Sequence, residues 1–356
     1  MAAGDLYIRR NGGDATAITI ANLDSSWDTL VKDVGGIVSY TNPNLRLNTG
    51  LYLIQYSEVF YTPTEVVDNT NRIEIQGEVH TAAGVQGGYS QDYIRQTSGQ
   101  YEVALTGSMI LNITSDNTDV FIRFFRTDDS TEVVTRKPNN GSVSILQLDT
   151  SHGYGLYSTS ASEATAGTTV RNLTLNTNDR QDTGFSRSGN TVTLANSGRY
   201  LVTYAMDIFQ TGTGRESVYA YLRRNGATEV AGSKSFSYLR GVDGCIDGAL
   251  TWIGLVDVSA NDTFDITWAC PSSATITSKA GAKLQFWRLP STAKTAIIEA
   301  TTGNFNTNAP FAWDSASYID VDAFGYTASD SKIVNKSTTH LLSFATFSKV
   351  TDTAAR

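Results

Sequence analysis

Two widely separated stretches of the chain carry one pattern. Gly50-Leu-Tyr52-Leu-Ile-Gln-Tyr56-Ser-Glu-Val-Phe60 and Gly198-Arg-Tyr200-Leu-Val-Thr-Tyr204-Ala-Met-Asp-Ile208-Phe209 both set a glycine ahead of two tyrosines four residues apart. In an extended strand that spacing puts both rings on one face. The correspondence continues in order. Tyr93-Ile-Arg95 matches Tyr238-Leu-Arg240, and Ala104-Leu-Thr106 matches Ala249-Leu-Thr251, each at an offset of 145. The stretch from Ile113 through Val120 to Ile122 parallels Val258 through Phe264 to Ile266, and Gly141–Leu148 parallels Gly281–Arg288. Ordered matches of this kind mark a tandem duplication, so the two halves share one fold.

A third copy begins near the end of the chain. Trp313-Asp314 echoes Trp27-Asp28, and His340-Leu-Leu-Ser-Phe344 echoes the strands at Tyr52 and Tyr200. The expected organisation is a first repeat over residues 1–149, a second over 150–290 and the beginning of a third over 291–356. Half a sandwich exposes its core face and unpaired edges. A third repeat of this length therefore needs completion, by further chain or by a partner subunit, and the first of these is preferred. The small-residue stretch Ser151–Thr169 reads as linker or loop.

Alternation sets the class. Val192-Leu194, Tyr200-Val202-Tyr204, Val218-Ala220-Leu222, Trp252-Val256-Val258 and Phe264-Ile266-Trp268 follow a period of two, with Gly, Asn and Ser between the runs. The expectation is an all-β protein of tandem antiparallel β-sandwich or jelly-roll domains, the third incomplete. The one candidate helix is short, Ser26 to Lys32.

The second repeat resembles the TNF-like jelly-roll superfamily of tumour necrosis factor and complement globular heads. The resemblance rests on the Gly198-x-Tyr200 opening, the paired-strand signature Trp252–Ile266 with its turn at Asp262, and the closing Leu284-Gln-Phe286-Trp287. It covers residues 170–290 well, 35–148 weakly and 300–356 in part. It implies a homo-oligomer, a trimer in most of the superfamily. Because the array shows no signal peptide, stalk or anchor, it is more similar to the jelly-roll modules of tailed bacteriophages. That resemblance implies a structural virion protein, a capsid decoration or cement protein on the head surface, made in the host cytoplasm and bound to a major capsid protein. The alternative is a receptor- or glycan-binding tail-fibre or adhesin module with a host-surface glycan as partner.

Strand faces point the same way. Opposite the tyrosine face, the second repeat carries Leu201 and Ala205, and its later strand carries Ile253 and Leu255. Strands that are apolar on both faces need a second cover. These four residues are the candidate oligomer interface, and the N-terminal Leu6-Tyr7-Ile8-Arg9-Arg10 is the candidate shell-docking segment.

Other chemistries are poorly supported. With 27 basic against 35 acidic residues, net −8, the chain is not built for a nucleic-acid backbone. No apolar run is long enough to span a membrane as a helix. His80, His152 and His340 fall in different repeats without metal-binding spacing. Asp128-Asp129 reads as turn chemistry, Asp320 and Asp322 as a solvated strand face, and Asp68, Asn69 and Asn71 as too weak for a calcium loop. Cys245 and Cys270 read as separate reduced thiols, and Gly12-Gly13 and Gly87-Gly88 as turns. Asn112, Asn172 and Asn335 open accidental glycosylation triplets. Tyr154 and Tyr157 are candidates for stacking on sugars or on a neighbouring subunit. The expectation is no enzyme, no cofactor and no metal.

Overall fold

A computed structural model describes residues 6–10, 17–18, 23–24, 27–62, 72–95, 101–127, 133–166, 168–241, 246–272, 274–293, 295–299, 315–319, 324–327 and 332–335. The chain is all-β: among these residues the only helical element is a single 3-10 turn, Thr150–His152. The described residues separate into two units along the chain, one within residues 1–288, the other within 289–346.

Within the first unit both repeats build the same two sheets. In the first repeat one sheet runs Ala17–Ile18, Val134–Arg136, Gly50–Tyr61, Ser142–Leu148, Leu6–Arg10, Thr29–Asp33, with Glu102–Ile113 on the other side of Gly50–Tyr61. In the second repeat the order is Glu163–Ala166, Thr275–Ser278, Gly198–Gln210, Lys283–Arg288, Tyr154–Ser158, Thr177–Gln181, with Asp247–Val258 beside Gly198–Gln210. The opposing sheets correspond too: Asn44–Leu47, Thr118–Arg126, Arg72–Thr81 and Gly84–Arg95 match Thr191–Leu194, Asp262–Ala269, Arg215–Arg224 and Ser235–Arg240. All these pairings are antiparallel.

The tyrosines explain why the pattern repeats. Tyr52 Oη donates to Asn48 O at 3.0 Å, and Tyr200 Oη donates to Asn196 O at 2.8 Å. Tyr56 Oη donates to Gly88 O at 2.7 Å, and Tyr204 Oη donates to Ser233 O at 2.6 Å, the carbonyl 145 residues on. All four rings are buried, and a phenol in an apolar core needs such a partner. Around them lie two separate cores, one containing Trp27, Phe60 and Phe124, the other Trp252, Phe264 and Trp268. Tyr56→Phe and Tyr204→Phe should each cost about 1–3 kcal/mol by leaving a buried carbonyl without its donor. Urea unfolding of the two variants checks this, and a loss in only one would break the equivalence.

Three expectations need correction. Residues 29–32 of the candidate helix lie in the strand Thr29–Asp33, because this backbone pairs with Leu6–Arg10. The Ser151–Thr169 stretch is not a linker. It holds the fully buried strand Tyr154–Ser158 and the strand Glu163–Ala166, leaving 149–153 as the connection. Gly87 and Gly88, at φ 128° and 68°, do not make a chain-reversing turn. They sit inside the Gly84–Arg95 strand, where the register with Arg72–Thr81 shifts. Left-handed backbone at those positions favours glycine and lets the strand bulge.

The second unit shows two antiparallel hairpin pairs, Ala296–Glu299 with Ser315–Ile319 and Phe324–Thr327 with Lys332–Asn335. The Trp313 and His340 echoes lie outside the described residues, as do Asp68, Asn69, Asn71, Asp128, Asp129, Asp320, Asp322, Cys245 and Gly12-Gly13.

Candidate functional site

The chain's most developed chemistry lies where the two repeats meet inside the first unit. On Gly198–Gln210, Tyr200, Val202 and Tyr204 face the core, so Leu201, Thr203, Ala205 and Asp207 face outward. That outward face meets the first repeat. A third apolar cluster joins Leu51, Leu53, Ile110 and Leu148 of the first repeat to Tyr154 and Leu156 of the second, with Leu146, Leu201, Ile253 and Trp287 packed against it. At about 1.5–3 kcal/mol for each well-buried large side chain, such a cluster is a substantial clamp.

Hydrogen bonds fix its register. Gln285 Nε2 donates to Ile110 O at 2.6 Å, and Ile110 N donates to Gln285 Oε1 at 2.8 Å. Ile110 belongs to Glu102–Ile113, whose ladder partner is Gly50–Tyr61. The Gln285 amide thus satisfies the main chain on that strand's other edge, in the manner of a strand neighbour, and blunts an edge that would otherwise invite pairing. Thr203 Oγ1 donates to Gln285 Oε1 at 3.0 Å and holds the amide in place. Trp287 Nε1 donates to Asp149 O at 2.7 Å, and Arg180 Nη1 donates to Asn112 Oδ1 at 2.9 Å.

A polar belt flanks this clamp. Glu74, Gln76, Glu78 and His80 alternate with core residues along Arg72–Thr81, yet all four are buried. Gln76 Nε2 donates to Asp207 Oδ2 at 3.3 Å, and Lys279 Nζ bridges Asp207 at 3.1 Å and Asp247 at 2.8 Å. Burial pushes the Glu74 carboxyl up to about 8, against the opposing hydrogen bond from Thr127 and with Asp247 adding to the rise. Burial also raises Asp207 to about 6, partly offset by Lys279. His80 stacks on Phe121, with ring centroids 5.6 Å apart, and bonds Glu78.

Two of the four candidate interface residues, Leu201 and Ile253, therefore have the first repeat as an intrachain neighbour. Ala205 is buried, Leu201 and Ile253 pack on the junction cluster, and Leu255 is half-buried at the equivalent position to Ile110. The segment Leu6–Arg10 is an interior strand, hydrogen-bonded to Ser142–Leu148 on one side and Thr29–Asp33 on the other. Tyr7 is in the core, and the Arg9 guanidinium lies 4.1 Å from the Tyr40 ring centroid and donates to Trp27 O. Only side chains such as the exposed Arg10 remain for outside contact.

Tyr154 and Tyr157 are not surface rings. They are 1% and 0% exposed, so stacking on sugar there is ruled out by burial. Cys270 is a buried free thiol beside Glu216 and Ser272. His152 approaches Asp149 at 3.4 Å. Asn112 is engaged by Arg180, and Asn172 Oδ1 accepts from Thr267. Among the described residues, no group of three or more His, Cys, Asp or Glu side chains is placed to hold a metal ion, and no helix is long and apolar enough to cross a membrane.

No family model and no curated protein matches the sequence. Similar solved structures include a TNF-family fold, murine APRIL at pH 8.5, at 13% identity over 38% of this chain and 99% of that one, TM-score 0.28. The tandem CBM22-1–CBM22-2 domains of Paenibacillus barcinonensis Xyn10C match at 10% identity over 80% of this chain and 98% of theirs, TM-score 0.25. Red Clover Necrotic Mosaic Virus matches at 10% identity over 81% of this chain and 97% of that one, TM-score 0.18. Likenesses this distant carry nothing about binding or activity.

Proposed function

We propose that this is a structural virion protein, a capsid decoration or cement protein that docks on a phage head and associates with further copies of itself. The observation that supports the reading is the junction. A third apolar cluster and the hydrogen bonds of Gln285, Trp287 and Arg180 lock one jelly-roll module onto the next. A rigid multi-module body suits a protein whose work is to clamp neighbouring shell subunits. Binding only the assembled shell stabilises that shell by mass action, and many weak contacts on a lattice act together.

The test is the copy number of the chain on purified particles, together with particle survival under heat or osmotic shock with and without it. Hundreds of evenly spread copies and a less stable particle in their absence are expected. A few copies confined to a tail tip, with binding to host polysaccharide and no change in particle survival, would make it a receptor-binding fibre module instead.

A further inference from the structure

One sheet face has different chemistry in the two repeats. On the first, Gln76 and Glu78 are buried, and Gln76 donates to Asp207 of the second repeat. The strand registers put Tyr219 and Tyr221 at those two positions on the second repeat, with Phe236 standing where the first has Gln91. The same sheet forms with either set, so the fold itself does not call for rings there. Phe236 is 45% exposed, and Tyr219, Tyr221 and the neighbouring Tyr238 are half-buried.

The rings make a continuous platform. Tyr219 and Tyr221 stack 6.2 Å apart at 18°, and Phe236 lies 6.1 Å from Tyr219. Lys234 Nζ sits 5.1 and 5.2 Å from the two tyrosine centroids and pairs with Glu229 at 2.9 Å. A cation shared by both rings holds them at a common tilt, so little freedom is left to lose on binding. Beyond Tyr221 on the same strand, Arg223 makes paired hydrogen bonds to Asp265, Nε to Oδ1 and Nη2 to Oδ2, both at 3.0 Å. Val218, Leu222, Leu239 and Ile266 all lie in the core, so no branched aliphatic side chain of Arg215–Arg224, Ser235–Arg240 or Asp262–Ala269 shares this face.

Rings edged directly by paired charges, with no aliphatic surround, suit a sugar. A hexose presents C–H groups on one face and hydroxyls around its rim. The C–H face lies on the electron-rich faces of aromatic rings, and the rim hydroxyls meet donors and acceptors of the Lys234–Glu229 and Arg223–Asp265 pairs. A stable protein interface needs a broader apolar core than a strip of rings bounded by charge. Each of the two cations is matched by a carboxylate, so the site favours a neutral chain over a phosphate-bearing or acidic one. We propose that the Tyr219–Tyr221–Phe236 face binds a neutral hexose polysaccharide laid along the strand Arg215–Arg224. The inference goes beyond the decoration reading: a head-bound chain with this platform would also hold the particle to a polysaccharide surface.

Native affinity electrophoresis of the full chain tests it, with galactomannan, hydroxyethyl cellulose or dextran cast in the gel. Retardation by at least one of them is expected. Tyr219→Ala and Tyr221→Ala should each weaken it about tenfold, as loss of one stacking contact does, while Tyr219→Phe keeps most of it because the ring remains. Tyr101→Ala, which removes an exposed ring of the first repeat, should change nothing. Tyr219 and Tyr221 stand outside the core cluster, so folding is not at stake. Retardation by none of these polymers overturns the proposal, as does retardation that both alanine variants retain. Retardation by alginate or oligothymidylate alone also overturns it, since either would mark an anion site. Copy number on particles is read separately. A chain that binds polysaccharide but is absent from heads ends the decoration reading and leaves the platform standing; a head-bound chain that no polysaccharide retards does the reverse.

Discussion

Heating the Gln285→Leu variant should unfold the two repeats in separate steps, where the unaltered chain loses them together. The leucine fills comparable space but cannot accept from Ile110 N or donate to Ile110 O, and both atoms are buried. Each main-chain group left unpaired in a dry interface costs about 1–3 kcal/mol. Together these remove on the order of 2–6 kcal/mol from the coupling between modules, while each module keeps its own core. Thr203 also loses its acceptor. Calorimetry reads the result directly as one transition becoming two. The control is Ser144→Ala, at the equivalent position of the first repeat, which removes no such pair and should leave the profile alone. A single unshifted transition in Gln285→Leu would mean that the apolar cluster alone carries the junction.

Gln285 also shows how far the sequence could be read. Matching Gly141 to Gly281 by letter pairs Gln285 with Ile145, an inward position. The strand register is one residue different: Ser144 lies opposite Gln55 and Gln285 opposite Thr203, making Ser144 the true equivalent. A slip of one residue exchanges the two faces of a strand, so the letter-by-letter match alone would pair the residue that latches the junction with a core position. The duplication itself was legible, because its tyrosines keep both spacing and hydrogen-bond partners. So was the need for a second cover over Leu201, Ala205 and Ile253. What covers them was not legible, since an apolar face reads the same whether its neighbour is another subunit or the preceding repeat. The alternation Ile73-Glu74-Ile75-Gln76 likewise reads as a half-solvated strand, yet both polar side chains are buried and reach groups of the second repeat.

Those buried carboxyls make the junction sensitive to pH. With the repeats separated, Glu74 and Asp207 would titrate near 4.5 and 3.8; in the docked chain burial raises them to about 8 and about 6. The docked form therefore holds protons that the separated form releases. For an acid raised on docking, stability is fully present below the lower value and is lost as pH climbs toward the upper one. The window is about pH 4 to 6 for Asp207 and about pH 4.5 to 8 for Glu74. At about 1.4 kcal/mol per pKa unit, the upper bounds are roughly 3 and 5 kcal/mol. The groups facing them act in both directions: Thr127 and the main-chain N–H of Asp247 steady the Glu74 anion, Lys279 steadies the Asp207 anion, and the Asp247 carboxylate opposes both. The apparent melting temperature of the coupled repeats should fall from about pH 4 to about pH 8, with Glu74 supplying the decline above pH 6. Glu74→Gln keeps the shape and hydrogen-bonding capacity of the neutral acid, so it should flatten that upper limb and raise stability at pH 8. A Gln variant that melts with the same slope above pH 6 would place the titrating group elsewhere. A stability that instead rises across this range would mean that Glu74 is held ionised against Thr127.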